Sequence, residues 1–394
     1  MGAAETGDKG HQRNKSHNNI KSSHEISHVL MGRPLYLAFG SMSLMYQAQV
    51  SIIGAGPIGS YLSKKLAQKG IDTALIDRKN AVGKYACSGL ISKRITSFVR
   101  MNSAFLEHKI YGAVFHSPDN SFTLRRNTTQ AYVVDRPLFD KHLFSEAVRA
   151  GAKTFLGAPA EKICVLKDAV ECTAGQEKIT SKMVVGCDGA CSFLRNHLGF
   201  FGKTRLVNGI MSYVDECNSS PLVELYYGKR VAPGFFAWKI PRGKRTEYGL
   251  AAKENHISYF KKFLSSEGVL FEKYYAHPIV FGEQESCKER AILVGDAAAQ
   301  VKPFSGGGLI YGFISADIAA RAIKKAFDKD DFSKEFFQKE YEARWHKKLI
   351  SKIRMGGALR GILDSLDNSE LDALFGALSE EKKSMEKIGD MDFL

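Results

Sequence analysis

The run Val50-Ser51-Ile52-Ile53-Gly54-Ala55-Gly56-Pro57-Ile58-Gly59, followed by Thr73-Ala74-Leu75-Ile76-Asp77, decides how this chain folds. Its first four residues are a short β-branched run that predicts a strand, and residues 60–69 carry apolar side chains at helical spacing. Gly70 closes that helix, and 73–77 reads as a second buried strand ending in an acid. Strand, turn, helix and strand make a βαβ unit. Its three glycines have separate tasks. Gly54 makes the tight turn, Gly56 leaves bare backbone for a diphosphate, and Gly59 lets helix and strand pack closely. The helix N-terminus then faces the anion with free N–H groups. Asp77 follows Gly56 by 21 residues, where a carboxylate accepts hydrogen bonds from an adenosine ribose. The pattern predicts a dinucleotide site in an α/β fold and does not separate NAD from FAD.

Upstream, residues 1 to about 30 are polar, carry four of the eleven histidines and show no period, so the stretch ahead of the first strand, 1–46, reads as a disordered arm. Residues 1–6 fit the short myristoylation pattern, read as a chance match, and translation starting near Met42 or Met45 is a simple alternative for the arm. Downstream, 111–134 and 154–185 alternate in short segments and predict antiparallel meanders. The strand-rich stretch 207–291, with turn signals at 218–221, 233–234 and 242–244, predicts a second sheet. From Leu309 onward the pattern is helical, including 332–353 and 368–378. The organisation expected is an arm (1–46), a discontinuous dinucleotide domain (47–205 and 288–325) that takes in part of a meander lobe, an antiparallel sheet domain (206–287) and a C-terminal helical region (326–394).

At 394 residues and 44% apolar composition the chain has material for two to three folding units, which excludes a small stapled scaffold and wholesale disorder. Seven cysteines without a C-x-x-C pair or zinc-finger spacing point to a reduced, cytosolic chain with no structural metal. The net charge of +14 calls for an acidic partner: nucleic acid, an anionic lipid surface or a phosphorylated small molecule. No nucleic-acid reader motif accompanies the charge, so nucleic acid is not expected. No apolar run reaches the ~20 residues of a membrane-spanning helix, so membrane contact is expected to be peripheral.

Two later segments extend the reading. Val184-Val185-Gly186-Cys187-Asp188-Gly189 is an apolar strand ending in Asp-Gly, and Ala291-Ile292-Leu293-Val294-Gly295-Asp296 is another ending in Gly-Asp. With Pro303-Phe304-Ser305-Gly306-Gly307-Gly308 before a helix, and Arg136 in Val134-Asp135-Arg136-Pro137, the chain resembles the flavoprotein hydroxylase superfamily related to p-hydroxybenzoate hydroxylase. The resemblance implies FAD, a Rossmann-like α/β domain with an antiparallel α+β substrate lobe, and C-terminal helices. By that likeness Gly54, Gly56, Pro57, Gly59, Asp77, Arg78, Cys87, Ser88, Gly89, Arg136, Asp188, Gly189, Gly295, Asp296, Pro303, Gly306, Gly307 and Gly308 form the cofactor-binding set, with Asp296 on the ribityl chain.

Within the superfamily the chain looks most like the geranylgeranyl reductases, especially the archaeal type that saturates isoprenoid chains of ether lipids. Cys87-Ser88-Gly89-Leu90-Ile91-Ser92 matches their C-x-G-x-x-S pattern, and Pro233 to Pro241 matches P-x-x-Y-x-W-x-F-P, with Phe236 in place of Tyr and Ile240 in place of Phe. This implies an FAD-dependent reductase of polyprenyl double bonds, with Phe235, Phe236, Trp238 and Pro241 toward substrate and Cys87 as a substrate-side thiol. On spacing alone Phe236 and Trp238 share one strand face and fit a sheet core as well as a pocket. Cys87 equally fits a small buried apolar position. The electron donor expected is NAD(P)H or a small ferredoxin-like protein. Residues 321–360, with twelve Lys or Arg against six Asp or Glu, read either as a basic face that docks on the inner surface of the cell membrane or as a solvated helix face. An FAD monooxygenase and a non-catalytic prenyl-lipid binder are the alternative functions.

Overall fold

In chain order, the elements around the site are β1 (Val50–Ile53), α1 (Pro57–Ala67), β2 (Thr73–Asp77), α2 (Arg136–Arg149), β3 (Met183–Gly186), β4 (Ala237–Pro241), β5 (Thr246–Ala252), β6 (Ala291–Leu293), α3 (Leu309–Lys329), α4 (Ala343–Ser365) and α5 (Asn368–Glu380). The computed structural model describes residues 45–83, 87–271, 273–388 and 392. The arm up to residue 44 and positions 84–86, just ahead of Cys87, lie outside the described residues.

β6, β3, β1 and β2 pair in parallel, and Lys153–Leu156 extends the sheet beside β2. Side chains alternate between two buried faces. Ile52, Leu75, Val185 and Ile292 point into a core shared with α1, α2 and α3, while Ile53, Ala74, Ile76, Val184 and Leu293 meet a small sheet from Ala160–Val165, Val170–Ala174 and Glu177–Ser181. Burial on both sides is why these strands read as continuous apolar runs. Met45–Gln47 adds to that small sheet, parallel to Glu177–Ser181, so strand structure begins within the stretch assigned to the arm.

The second sheet has seven strands in the order Tyr275–Gln284, Gly202–Val214, β5, β4, Leu222–Tyr226, Gly112–His116 and Ser121–Arg125. The sheet expected over 206–287 also takes in residues that precede it. The hairpin at 112–125 joins it through a parallel pairing of Gly112–His116 with Leu222–Tyr226, and Gly202 starts its longest strand. Such a partner is fixed by contacts over 100 residues apart, which local pattern does not report. His256–Ser266 covers one face of this sheet. α5 packs against the other, with Phe375 on Phe122 at 5.3 Å. Ser43–Leu394 forms a single compact unit, and Ala190, Ala299 and Val301 pack in one cluster with Phe235 and Phe236 where the lobes meet.

The helix expected over 332–353 is interrupted. Lys334–Phe337 is α-helical, Gln338–Glu342 is a π turn, and α4 continues from there to Ser365. Phe332, Phe336, Phe337, Trp345 and Leu349, interleaved with the charges of 321–360, all face the core and serve packing.

Candidate dinucleotide and substrate site

The β1–α1 turn is built for close approach. Gly54 has φ +104°, and a Cβ there would lie 2.4 Å from the Cys187 carbonyl oxygen; a Cβ on Gly59 would lie 1.9 Å from the Gly54 carbonyl oxygen. Both positions exclude any side chain. Gly56 is the opposite case, because a Cβ there would meet nothing within 4 Å. It caps α1 without a side-chain acceptor, so the first N–H groups of the helix open onto that space. Asp77 Oδ2 accepts a hydrogen bond from Ala55 N at 2.8 Å and Oδ1 one from Lys79 N at 2.9 Å. A carboxylate has about four lone-pair positions, so acceptor capacity remains for a ribose hydroxyl. Arg78 beside it is exposed.

The Asp-Gly and Gly-Asp motifs converge on the same turn. Asp188 Oδ2 accepts from Leu194 N at 3.0 Å, while Oδ1 is buried without a partner among the described residues. Burial raises the Asp188 carboxyl above its ordinary range. Gly189 opens onto free space. Gly295 and Gly312 both pack on Ile58 in α1, which brings the end of β6 and the start of α3 to the head of α1. A Cβ on Gly308 would lie 2.4 Å from Asp296 Oδ1, so the last glycine of the 306–308 run lies directly against that carboxylate. Burial raises the Asp296 carboxyl, and the nearby charges of His277 and Arg136 oppose the rise.

Arg136 opens α2 and is buried against Asp140, with Nε to Oδ1 at 3.1 Å and Nη2 to Oδ2 at 3.2 Å. Burial works against its charge, but Asp140 and the adjacent Cys87 sulfur outweigh that and hold the guanidinium protonated. Gly89 has φ +69°, and a Cβ there would strike the Val134 carbonyl oxygen at 2.2 Å and approach Arg136 Cγ at 3.3 Å. The 87–89 turn thus lies directly on Arg136. Ser88 sits within it, its Oγ accepting from Leu90 N at 3.3 Å.

The aromatic wall on the other side is part of the buried cluster of the seven-stranded sheet, with Tyr227, Phe281 and Phe375 beside Phe235 and Phe236 and Trp238 at its edge. Phe235 and Phe236 stack at 4.4 Å and are buried, and Phe235 Cζ lies 3.3 Å from where a Cβ on Gly306 would be. Trp238 is half-buried and lies flat on Gly249 of β5, where a Cβ would come within 2.3 Å of the indole. Pro241 ends β4 and is buried. Pro303 borders α4 at Gly356, and Gly307 lies against Lys302.

Sequence reasoning missed the polar groups that hold these pieces. Gln300 accepts from Gly295 N at 2.7 Å and donates to Tyr341 Oη at 3.0 Å, which fixes the Gly-Asp turn. Arg360 in α4 lies over Phe235 at 4.3 Å and Phe304 at 5.2 Å, and donates to the carbonyls of both. Arg242 and Glu247 are buried as a pair at 2.7 Å. A charged residue inside an otherwise apolar strand, such as Glu247 in β5, was the one signal available.

The residues present fit FAD: an open Gly56 face for the diphosphate, a carboxylate with spare acceptor capacity at Asp77, an orphaned buried oxygen on Asp188, and bare backbone at Gly308 against Asp296. Residues 47–224 match the model of an FAD binding domain. Fold and site together define an FAD-dependent oxidoreductase of the p-hydroxybenzoate hydroxylase type. A digeranylgeranylglycerophospholipid reductase of Methanocaldococcus jannaschii is 30% identical over 357 residues, covering 84% of this chain and 90% of that protein. The chain belongs to the digeranylgeranylglycerophospholipid reductase family. Among solved structures, a geranylgeranyl bacteriochlorophyll reductase-like protein of Thermoplasma acidophilum superposes with a TM-score of 0.80 at 21% identity, covering 88% of this chain and 97% of that one. The halogenase PltM in complex with phloroglucinol and FAD shares the fold more distantly, with a TM-score of 0.65 at 14% identity over 87% and 84% of the two chains.

Proposed function

We propose that the chain reduces carbon–carbon double bonds in geranylgeranyl chains carried on isoprenoid ether glycerophospholipids. The observation that carries this reading is the 306–308 glycine turn, which meets the Phe235 ring at Gly306 and Asp296 at Gly308 and so sets an apolar wall beside the cofactor half of the site. An isolated alkene is unpolarised, so its reduction needs close positioning in a dry site, a hydride to one carbon and a proton to the other. Bound FAD supplies the hydride chemistry. The glycine loop, Asp77, Arg136, Asp188, Asp296 and residues 306–308 hold it. Phe235, Phe236 and Trp238 bury the isoprenoid chain and exclude water. Cys87, held beside Arg136, orients the alkene or delivers the proton from Sγ.

The substrate sits in a bilayer, and α4 supports peripheral docking there. Its outward side carries Arg344, Lys347, Lys348 and Arg354, then Met355, Leu359 and Ile362 at 45%, 39% and 56% exposure. Basic residues beside an apolar stripe suit an anionic lipid surface. The same half of α4 carries Arg360 on the aromatic wall, so docking would bring lipid to the site. No helix among the described residues is long and apolar enough to cross a membrane. Docking at the inner face of the cell membrane follows from this reading, with NAD(P)H or a small ferredoxin-like protein as reductant.

The test is mass spectrometry of lipids from a host that makes unsaturated isoprenoid ether lipids, with and without the chain. The expected result is a gain of hydrogen pairs. No gain with yellow, flavin-loaded protein overturns the reading, and an oxygenated product points instead to a monooxygenase. Anaerobic bleaching of the flavin by NADH, NADPH or reduced ferredoxin identifies the donor.

A further inference from the structure

The 87–89 turn belongs to the nucleotide lobe and Trp238 to the seven-stranded sheet, yet one buried guanidinium touches the attachments of both. Arg242, whose side chain is fully buried, donates from Nη1 to the Ser88 carbonyl at 2.6 Å and from Nη2 to the Val134 carbonyl at 2.8 Å. Those two carbonyls bracket the turn, because Val134 N also donates to the Gly89 carbonyl at 3.0 Å. The same Nη1 donates to Glu247 Oε2 at 2.7 Å, and Trp238 Nε1 donates to Glu247 Oε1 at 2.9 Å. Each oxygen of one carboxylate therefore holds one side of the site. Glu107 pairs with Arg242 and with Arg245, and both guanidinium groups face the Tyr213 ring, at 4.9 Å for Arg242 and 4.3 Å for Arg245.

We propose that Arg242 and Glu247 are positioning residues that lock the Cys87 turn to the Trp238 indole, so that a prenyl chain seated against the indole fixes the thiol relative to the flavin site. The clamp suits this task for three reasons. A guanidinium is a planar fork whose donors reach two carbonyls and a carboxylate at once, which a lysine ammonium does not reproduce. Hydrogen bonds to charged groups are among the stronger ones in a fold. Trp238 has little freedom of its own, since it lies on Gly249 and is gripped at Nε1. Movement of the indole is therefore felt at Glu247, then at Arg242, then at Ser88. The role of the prenyl chain rests on the function proposed above; the mechanical link between Trp238 and Cys87 does not.

The experiment follows Cys87 itself. Flavin-loaded protein is treated with iodoacetamide without substrate, and alkylation of Cys87 is timed by peptide mass spectrometry against the exposed Cys191 as internal standard. Arg242→Lys should raise the Cys87 rate by about tenfold or more, the least that one lost charge-assisted hydrogen bond gives, with the reference Cys191 unchanged. Trp238→Phe keeps an aromatic ring but removes the N–H, and should raise the rate several-fold in a protein with full flavin content. Glu247→Gln, which keeps an acceptor for one partner, should fall between wild type and Glu247→Ala. Unchanged Cys87 rates in folded, yellow Arg242→Lys and Trp238→Phe proteins overturn the proposal. In turnover, the positioning role predicts a fall in kcat with flavin content and KM nearly unchanged, whereas equal losses of flavin and activity would mean support of the fold alone. If the wild type reduces no lipid while the alkylation rates still move as stated, the clamp stands and only the choice of substrate fails.

Discussion

The two halves of the site are held by different means. Around Gly54, Gly56 and Asp77 the contacts are made by the backbone of adjoining parallel strands, and the groups that would meet the nucleotide are main-chain N–H groups and a carboxylate from the neighbouring strand. Around Trp238 the holding groups are side chains far apart in sequence: Arg242 reaches Ser88 and Val134 across 154 and 108 residues, and Arg360 reaches Phe235 across 125. The first half is specified by which residues lack side chains. The second is specified by buried charge, which costs desolvation and is retained only where each group is paired.

This difference predicts which half breaks harder on a single methyl. Gly54→Ala combines a φ of +104° with a carbonyl 2.4 Å from the new Cβ. Strain and overpacking of this kind together cost about 3 kcal/mol. Because the clash lies at the bend that carries α1 away from β1, the flavin should be lost with the stability. Urea denaturation and the flavin-to-protein absorbance ratio check both. A yellow Gly54→Ala protein of wild-type stability would mean that the turn is not the cradle described.

The same contrast explains what was legible in the sequence. Gly54, Gly59 and Asp77 stand in a pattern only 24 residues long, and every constraint they meet comes from the βαβ unit itself or from the end of the adjacent β3 strand. The nearly continuous apolar runs of β1, β2, β3 and β6 report burial on both faces, which is a local property of each strand. By contrast, nothing near Leu222–Tyr226 announces that its neighbour is Gly112–His116, because a strand pattern states that a partner exists and not which one it is. Trp238 was found through a likeness to known reductases, while Glu247, nine residues on, was not. Its role depends on the register that sets Trp238 opposite Gly249 on β5. The basic residues of 321–360 were visible in composition, but which apolar side chains accompany them outside was not. The aromatics nearest in sequence turned inward, and Met355, Leu359 and Ile362 took the outer face.

A subtler break lies in pH. Burial pushes the Glu247 carboxyl from 4.5 up to about 7, against the pull of Arg242 and the Trp238 N–H. In the unfolded chain the group ionises near its ordinary value, so between about pH 4.5 and pH 7 the unfolded state releases a proton that the folded state keeps. Stability from this group is thus fully present below that window and is lost as pH rises through it. Glu247→Gln cannot ionise and should flatten the decline. The Asp188 and Asp296 carboxyls, also raised by burial, contribute a slope of the same sign in both proteins, so the difference between variant and wild type isolates Glu247. Urea midpoints taken from pH 4.5 to 8 measure it, and parallel curves would remove Glu247 from the account.

The smallest effect on the fold should come from the outer face of α4, where nothing in the site is touched. Replacing Met355, Leu359 and Ile362 by Ser removes side chains that are 45%, 39% and 56% exposed, so each change should alter stability by no more than about 0.5 kcal/mol. Flavin content and the Cys87 alkylation rate should stay at wild type, because Arg360 and Leu363 on the inner side keep their contacts with the aromatic wall. Binding to vesicles should fall by about tenfold or more, since three apolar side chains no longer enter the interface and each buried methylene is worth about 0.8 kcal/mol. Cosedimentation with vesicles of mixed anionic and neutral lipid reads this directly, and raising the salt should weaken the wild type through Lys347 and Lys348 while leaving the apolar contribution in place. Equal binding by the triple variant would move the docking surface away from α4 and leave the aromatic wall without a route to the bilayer on this side. A loss on vesicles with turnover retained on detergent-dispersed lipid would assign α4 to delivery of the chain and the Trp238 side to its chemistry.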